Sequence, residues 1–300
     1  GFEERIEMGS LLVEAVIDGV LTGGMYALMS AGLTLIFGML EVINIAQGIF
    51  VVLGSYLSYA LWVHAGIDPF LGLLVTIPAL FLIGIGVEWA FLRRLGESDR
   101  VAMSILVTYA VSLVIEGALD IQFGTTFVQL RPSYFTSTWH VFGFYLEYIY
   151  VFGFILAVIL LAALYALMYR TRFGASLRAA LQDRTAAALI GVNVKRVATI
   201  TFGIGVAVTA AGGMVFGATN GFDANSSADL ISRLLTIIVL GGLGSIGGAM
   251  GAALVMLVLE DVVAVVWSPV WAPVIYFLTL LIVLSIRPQG LFGKLAARAQ

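Results

Sequence analysis

Nine stretches of this chain are apolar for roughly the length a helix needs to cross a bilayer, and no polar stretch between them is long enough to fold by itself. They span residues 11–31, 42–63, 69–91, 101–118, 148–169, 197–217, 234–246, 248–266 and 272–286. A hydrocarbon core about 30 Å thick takes about 20 apolar residues per helix. In lipid, backbone polar groups must be satisfied within their own segment or by closure of a sheet. A barrel strand would be about ten residues of alternating polarity, whereas these runs are long and continuously apolar. They predict an all-α, polytopic transmembrane helical bundle of eight to ten helices, nine in the simplest count, with Gly-rich stretches that break a helix or fold back. Composition agrees: 61% of residues are apolar and 11% charged, against about 25% charged in soluble domains.

Basic side chains set the expected topology. Arg93, Arg94 and Arg100 share one connecting segment; Arg170, Arg172, Arg178, Arg184, Lys195 and Arg196 share a second; Arg287, Lys294 and Arg298 lie at the C-terminal end. Nine crossings put all three segments on one side, which then carries 12 of the 15 basic residues and reads as the cytoplasm. The other side receives Arg5, Arg131 and Arg233, with longer loops over 120–147 and 218–233. The expected organisation is an outer, periplasmic N-terminal tail (1–10), one membrane domain (11–286) containing a cytoplasmic segment (170–196), and a cytoplasmic tail (287–300). The acidic start is unlike a signal peptide, whose first region is basic. Gly1 stands where a start Met would, and Met8 is a candidate natural start.

Several chemistries are disfavoured. The chain has no cysteine, hence no disulfide, Cys-ligated zinc or thiol nucleophile. His64 and His140 lie far apart, so no metal centre is expected. Gly290, Gly293 and Lys294 lack the spacing and the Ser/Thr of a Walker A loop, so neither ATP hydrolysis nor a bound cofactor is expected on this chain. No nucleophile–base pair suggests an enzyme, and no nucleic-acid partner is expected. Gly242, Gly244 and Gly247 match G-x-G-x-x-G, but that fingerprint needs a βαβ setting, and here two membrane-length runs flank it. Such glycines either let helices approach closely, as the four-residue spacings Gly19/Gly23 and Gly213/Gly217 also would, or break a helix beside a cavity.

Polar groups at membrane depth usually face the bundle interior. Asn44 and Gln47, three residues apart on one expected helix face, either line a substrate path with Gly48 or pin helices together; Glu41 lies nearer the interface. Glu14, Asp18, Glu88, Glu116, Asp120, Glu260 and Asp261 also fall in or near apolar runs, with Asp18, Glu88 and Glu116 deepest. No complementary bases are visible beside them, which argues against an ion relay.

The longest polar segment on the basic side, 170–196, is rich in helix formers and has no proline. It predicts one or two short helices at the membrane surface, either holding anionic lipid or docking a partner. Four stretches carry a family resemblance: GLTLIFGMLEVINIAQG (32–48), RFGASLRAALQDRTAAALIGVNVKRV (172–197), GGLGSIGGAMGA (241–252) and RPQGLFG (287–293). In this order they resemble the branched-chain amino acid ABC transporter permeases of the LivH type.

The resemblance implies an ATP-driven, alternating-access importer of the bacterial inner membrane, for branched-chain or other hydrophobic amino acids. Its partners would be a second permease subunit (LivM-like, or a second copy), two cytoplasmic ATPase subunits carrying ATP and Mg, and a periplasmic or lipid-anchored substrate-binding protein. In that reading 173–191 seats in the ATPase through Phe173, Gly174, Leu177, Arg178, Gln182, Asp183, Ala186, Ala187 and Gly191. Ala186, Ala187 and Gly191 resemble the Ala-Ala-then-Gly pattern of such permeases, with Thr185 where the pattern carries Glu. Ile45 and Gln47 stand where the family commonly has Phe and His; Gln47 keeps hydrogen-bonding capacity without titrating near neutral pH. The alternatives are a permease for urea, amides or aromatic acids on the same scaffold, or a self-sufficient ion-coupled transporter or channel.

Overall fold

In the computed structural model, which describes residues 2–96, 99–135, 137–141, 144–287 and 290, most of the apolar runs become helices. Helix α1 (Phe2–Leu40) is followed by α2 (Gln47–Ala65), α3 (Pro69–Ala90), α4 (Arg100–Phe123) and α5 (Tyr148–Arg170). Two short helices, α6 (Arg172–Gln182) and α7 (Arg184–Leu189), precede α8 (Val194–Ala207) and α9 (Thr209–Thr219). Then come α10 (Ser227–Gly241), α11 (Ile246–Val266) and α12 (Ala272–Ile286). Among the described residues the strands are β1 (Thr138–Val141) and β2 (Phe144–Glu147), an antiparallel hairpin between α4 and α5.

Eight described helical segments are long and apolar enough to cross a membrane: α1 to α5, α8 continued by α9, α11, and α12 with the turn before it. The chain is a multi-pass membrane protein. The ninth expected crossing, 234–246, divides differently. Gly242 and Gly244 take positive φ values of 91° and 84°, so α10 stops at Gly241 and Ile246 opens α11. At its other end α10 starts at Ser227, inside the expected outer loop 218–233. Its 15 residues span about 22 Å at 1.5 Å per residue, less than the hydrocarbon core. Helix α1 starts at Phe2 and so runs through the segment read as a tail, while 288–289 and 291–300, with most of the fourth motif, lie outside the described residues.

Burial sorts centre from periphery. In the apolar windows of α1 and of α8–α9, 72% and 78% of residues are buried, against 17% in α4 and 6% in α12. The first two therefore form the middle of the bundle, and the last two leave their apolar side chains to lipid or to a partner. Glycine sets the closest contacts. A Cβ built on Gly19 would lie 2.6 Å from Val258 Cα and one on Gly23 3.1 Å from Leu254 Cα, so α1 and α11 run antiparallel at backbone contact. A Cβ on Gly213 would lie 2.1 Å from the Val51 carbonyl oxygen, which fixes α9 against α2.

Two distinct ends result. Thr199 near the start of α8 donates to Glu88 at 2.6 Å near the end of α3, and Arg184 of α7 donates to the Met39 carbonyl of α1. The segments bearing Arg93, Arg94, Arg100 and 170–196 thus gather at one end, called here the basic end. At the opposite end Tyr134 donates to Asp68; burial first, and then that bond, push the Tyr134 phenol well above its usual range.

Gly213→Val should destabilise the protein by about 2 kcal/mol or more, because backbone rather than a movable side chain blocks the new atoms. Gly86→Ala, at an exposed helical site with nothing within 4 Å, should be neutral or slightly stabilising. Thermal unfolding of both purified variants in detergent checks the contrast.

Candidate functional site

Three caps cut the polar segment at the basic end into separate helices. Thr171 Oγ1 accepts from Gly174 N at 3.0 Å to open α6, and Asp183 Oδ1 accepts from Ala186 N at 2.9 Å to open α7. Asn193 Oδ1 accepts from Arg196 N at 3.0 Å to open α8. Between α7 and α8, Gly191 turns the chain with φ 92°, a conformation strained for any residue with a Cβ. The inner face of α6 buries Gly174, Leu177 and Ala180. A Cβ on Gly174 would sit 2.1 Å from the Met168 carbonyl oxygen, so α6 folds directly back on the end of α5. Arg178 locks that corner: it donates to the Met168 carbonyl and lies 5.1 Å over the Tyr169 ring.

Of the remaining expected docking residues, Phe173 is half-buried, Ala187 is buried, and Gln182, Asp183 and Ala186 are exposed. Leu189 and Ile190 are 84% and 78% exposed, an apolar tip on an otherwise polar element. Arg184 joins this element to the bundle, through the Met39 carbonyl and a 3.8 Å ion pair with Glu41.

Glu41 is also where the membrane helix breaks. It takes φ 54°, and 42–46 run non-helically into the bundle before α2 begins at Gln47. The expected continuous helix over 42–63 is corrected accordingly. Helix α4 satisfies the freed backbone: Ile43 N donates to Ser104 Oγ at 3.3 Å, Ile45 N donates to Thr108 Oγ1 at 3.1 Å, and Thr108 Oγ1 lies 3.3 Å from the Ile43 carbonyl. Asn44 Nδ2 donates to Gln47 Oε1 at 2.8 Å, and Gln47 Nε2 donates to the Gly205 carbonyl of α8 at 2.9 Å. Both side chains are fully buried.

A second break enters from the opposite end. Phe222 and Val128 exchange backbone hydrogen bonds at 2.9 and 3.0 Å, Leu130 N donates to the Gly217 carbonyl at 2.8 Å, and Asp223 and Ser226 close a capping box. Helix α10 then starts against the first turn of α2, where a Cβ on Gly48 would lie 2.3 Å from the Ser227 carbonyl oxygen. Ser227 Oγ donates to Glu116 at 3.3 Å. Helices α2 and α10 thus both start inside the bundle and meet at Gly48, as helices that begin at a break within a transporter do.

Gly242 and Gly244 lie away from that meeting point, in the turn between α10 and α11. A Cβ on Gly38 would lie 3.5 Å from Leu181 and 4.0 Å from Gly244, which sets the turn beside α6. Gly247 follows in the first turn of α11, where Ser245 Oγ accepts from Gly248 N at 3.2 Å. The structure therefore brings Asn44, Gln47 and Gly48 together and keeps the three glycines apart from them.

One constellation escaped the sequence. The apolar pattern places Arg233 in an outer loop and shows no base beside the buried acids. In the structure Arg233 sits in α10, where Nη1 donates to Glu260 Oε1 and Oε2 at 2.6 and 2.8 Å and Nε donates to Asp229 Oδ2 at 2.9 Å. Its guanidinium lies 5.6 Å over the Tyr276 ring. A cavity of about 210 Å³ opens beside this pair, lined by α1, α5, α9, α10 and α11. The available signal was the acid four residues before the base, Asp229 then Arg233, which is helix spacing running straight into an apolar stretch.

Comparison with known proteins follows the same outline. The family described as the branched-chain amino acid transport system permease component matches residues 15–284. The high-affinity branched-chain amino acid transport system permease protein LivH of Salmonella typhimurium is 29% identical over 300 aligned positions, covering 94% of this chain and 96% of the relative. LivH of Escherichia coli K12 gives the same identity and coverage. The corresponding permease protein BraD of Pseudomonas aeruginosa is 28% identical over 301 positions, again covering 94% and 96%.

Replacing Ser104 and Thr108 together by Ala and Val strands the N–H groups of Ile43 and Ile45. The double variant should lose about 1–3 kcal/mol per stranded group, read as a lower thermal midpoint in detergent. Ser232→Ala, on the exposed face of α10, should leave the midpoint in place.

Proposed function

The chain belongs to the branched-chain amino acid transport system permease family, and from that premise we propose that it is the membrane-spanning subunit of an ATP-driven importer of branched-chain or other hydrophobic amino acids. The observation that carries this reading is the capped pair α6–α7. It is held rigidly to α5 by Gly174 and Arg178, tied to α1 by Arg184, and tipped by exposed Leu189 and Ile190. Exposed apolar side chains on a rigid, charged element suit a protein groove better than a lipid headgroup layer. The groove is that of an ATPase subunit, two of which would bind ATP and Mg outside this chain.

The clustering of basic residues supports placing this end in the cytoplasm. The hairpin end then faces the periplasm and a substrate-binding protein. The apolar flanks of α4 and α12 suit lipid or a second permease, either a related chain or another copy. ATP binding would draw two such elements together. Through Arg184 the motion reaches Glu41 and the broken segment 42–46, and from there α2 and α10, which meet at Gly48. Net uphill movement requires the ATP step, because a ligand shifts a conformational equilibrium only by its differential affinity.

Co-purification with the neighbouring gene products, then ATPase assays in nanodiscs, tests the assignment; a chain that purifies alone and moves solute on an ion gradient would overturn it. Leu189→Asp with Ile190→Asp should abolish ATPase co-purification without changing the thermal midpoint of the isolated chain. Arg178→Ala should retain the complex and its ATPase activity but lower uptake about tenfold, the expected cost of a loosened element worth about 1.4 kcal/mol. Gly191→Ala, which forces a Cβ into positive φ, should behave similarly. Normal uptake in both Arg178→Ala and Gly191→Ala would remove α6–α7 from the mechanism.

A further inference from the structure

We infer that the cavity beside Arg233 is a binding site on this chain for an amino acid in its zwitterionic form, occupied in transit through the membrane; the inference rests on the importer reading above. Two adjoining cavities make the site. The inner one, about 210 Å³, reaches Arg233 and Glu260; the outer one, about 330 Å³, adds Glu14 and Asp18, and the two share Thr22, Tyr150 and Asp261. Together they form a passage lined along one side by α1, from Leu11 near the hairpin end to Met29.

The chemistry of the lining is complementary to an α-amino acid. Such a ligand carries one carboxylate and one ammonium on the same carbon, and a side chain. Arg233 is the one basic group lining the described cavities, and a guanidinium is suited to a carboxylate. Acids outnumber it: Glu260 and Asp229 engage Nη1 and Nε, and Asp261 and Asp18 are additional. An incoming ammonium supplies the cation that this excess lacks. Leu21, Met25, Met29, Val215, Phe216 and Leu257 give the inner wall an apolar face, beside the polar groups of Tyr26, Thr219 and Asn220. At about 30 Å³ per water the inner volume equals roughly seven waters, close to the nine non-hydrogen atoms of leucine.

Selectivity follows from the cost of unpaired charge away from water. A zwitterion satisfies base and acid together. Urea or an amide brings no charge to either, and a simple carboxylic acid adds a negative charge to a site already rich in them.

The absence of native cysteine gives a direct test on the full complex in nanodiscs. Thr22→Cys places a thiol where the two cavities join, and its labelling by a small thiol reagent is read by mass spectrometry of this chain. Leucine titrated without the binding protein should slow labelling progressively, reaching about fivefold at about four times its Kd, where about four-fifths of the sites are filled. Equal concentrations of urea, acetamide or 4-methylpentanoate should not. Asp261→Asn in the same background should raise the half-protecting leucine concentration about tenfold, as expected for loss of one charge-assisted contact. No protection by leucine, or equal protection by urea or 4-methylpentanoate, overturns the site. ATP-driven leucine uptake by the same complex reconstituted in sealed proteoliposomes keeps the two readings apart: uptake without protection sinks the cavity assignment alone, whereas failure of ATP-dependent uptake sinks the importer reading.

Discussion

Backbone that leaves the helix inside a bilayer has to find its hydrogen bonds in protein, and this fold is arranged around two places where the chain does so. At 42–46 the partners are Ser104 and Thr108, polar side chains that α4 turns inward on an otherwise poorly buried helix. At 217–226 they are the backbone of 128–130 and the Asp223–Ser226 box. Were either set of partners lost, several N–H and C=O groups would be stranded away from water, so these contacts decide whether α2 and α10 start where they do.

The central position of α1 and α8–α9 follows from the same constraint. Gln47 needs the Gly205 carbonyl, which is reachable because Gly205 and Gly32 let α8 approach α1 closely; a Cβ on Gly205 would lie 2.7 Å from the Gly32 carbonyl oxygen. Small residues thus hold the helices together, and one amide fixes the register of the broken segment between them. The break also gives α6–α7 a handle on the interior. Arg184 grips the last turn of α1 at Met39 and pairs with Glu41, the residue at which the chain departs from the helix. A displacement of the basic-end element therefore acts first on backbone that is already irregular, which has less cooperative hydrogen bonding to oppose movement than a continuous helix.

The Arg233–Glu260 pair shows how a polar group is kept at depth. Its charge is matched by two carboxylates and by the face of Tyr276, and no single position in the sequence announces that match. Glu260 is 27 residues away and on the following helix. The apolar run begins at Leu234, which leaves Arg233 in a loop, whereas α10 begins at Ser227 and carries Arg233 within the helix. Asn44 and Gln47 were legible as buried polar residues, yet their expected shared helix face is absent, because Asn44 precedes the helix and reaches Gln47 across the turn that opens it.

By itself the sequence determined the solvent, the all-helical class and the clustering of basic residues in three segments: long apolar runs have few ways to satisfy their backbone in lipid, and clusters of Arg and Lys are costly within it. It also contained the polar segment 170–196, whose caps are local contacts between residues three apart. Tertiary structure alone decided where helices begin inside the bundle, which acid answers Arg233, and that the Gly242–Gly244 turn lies beside α6 rather than at the meeting of α2 and α10. Each of these depends on a partner many residues away, and periodicity carries no record of which distant side chain will supply a missing hydrogen bond or charge.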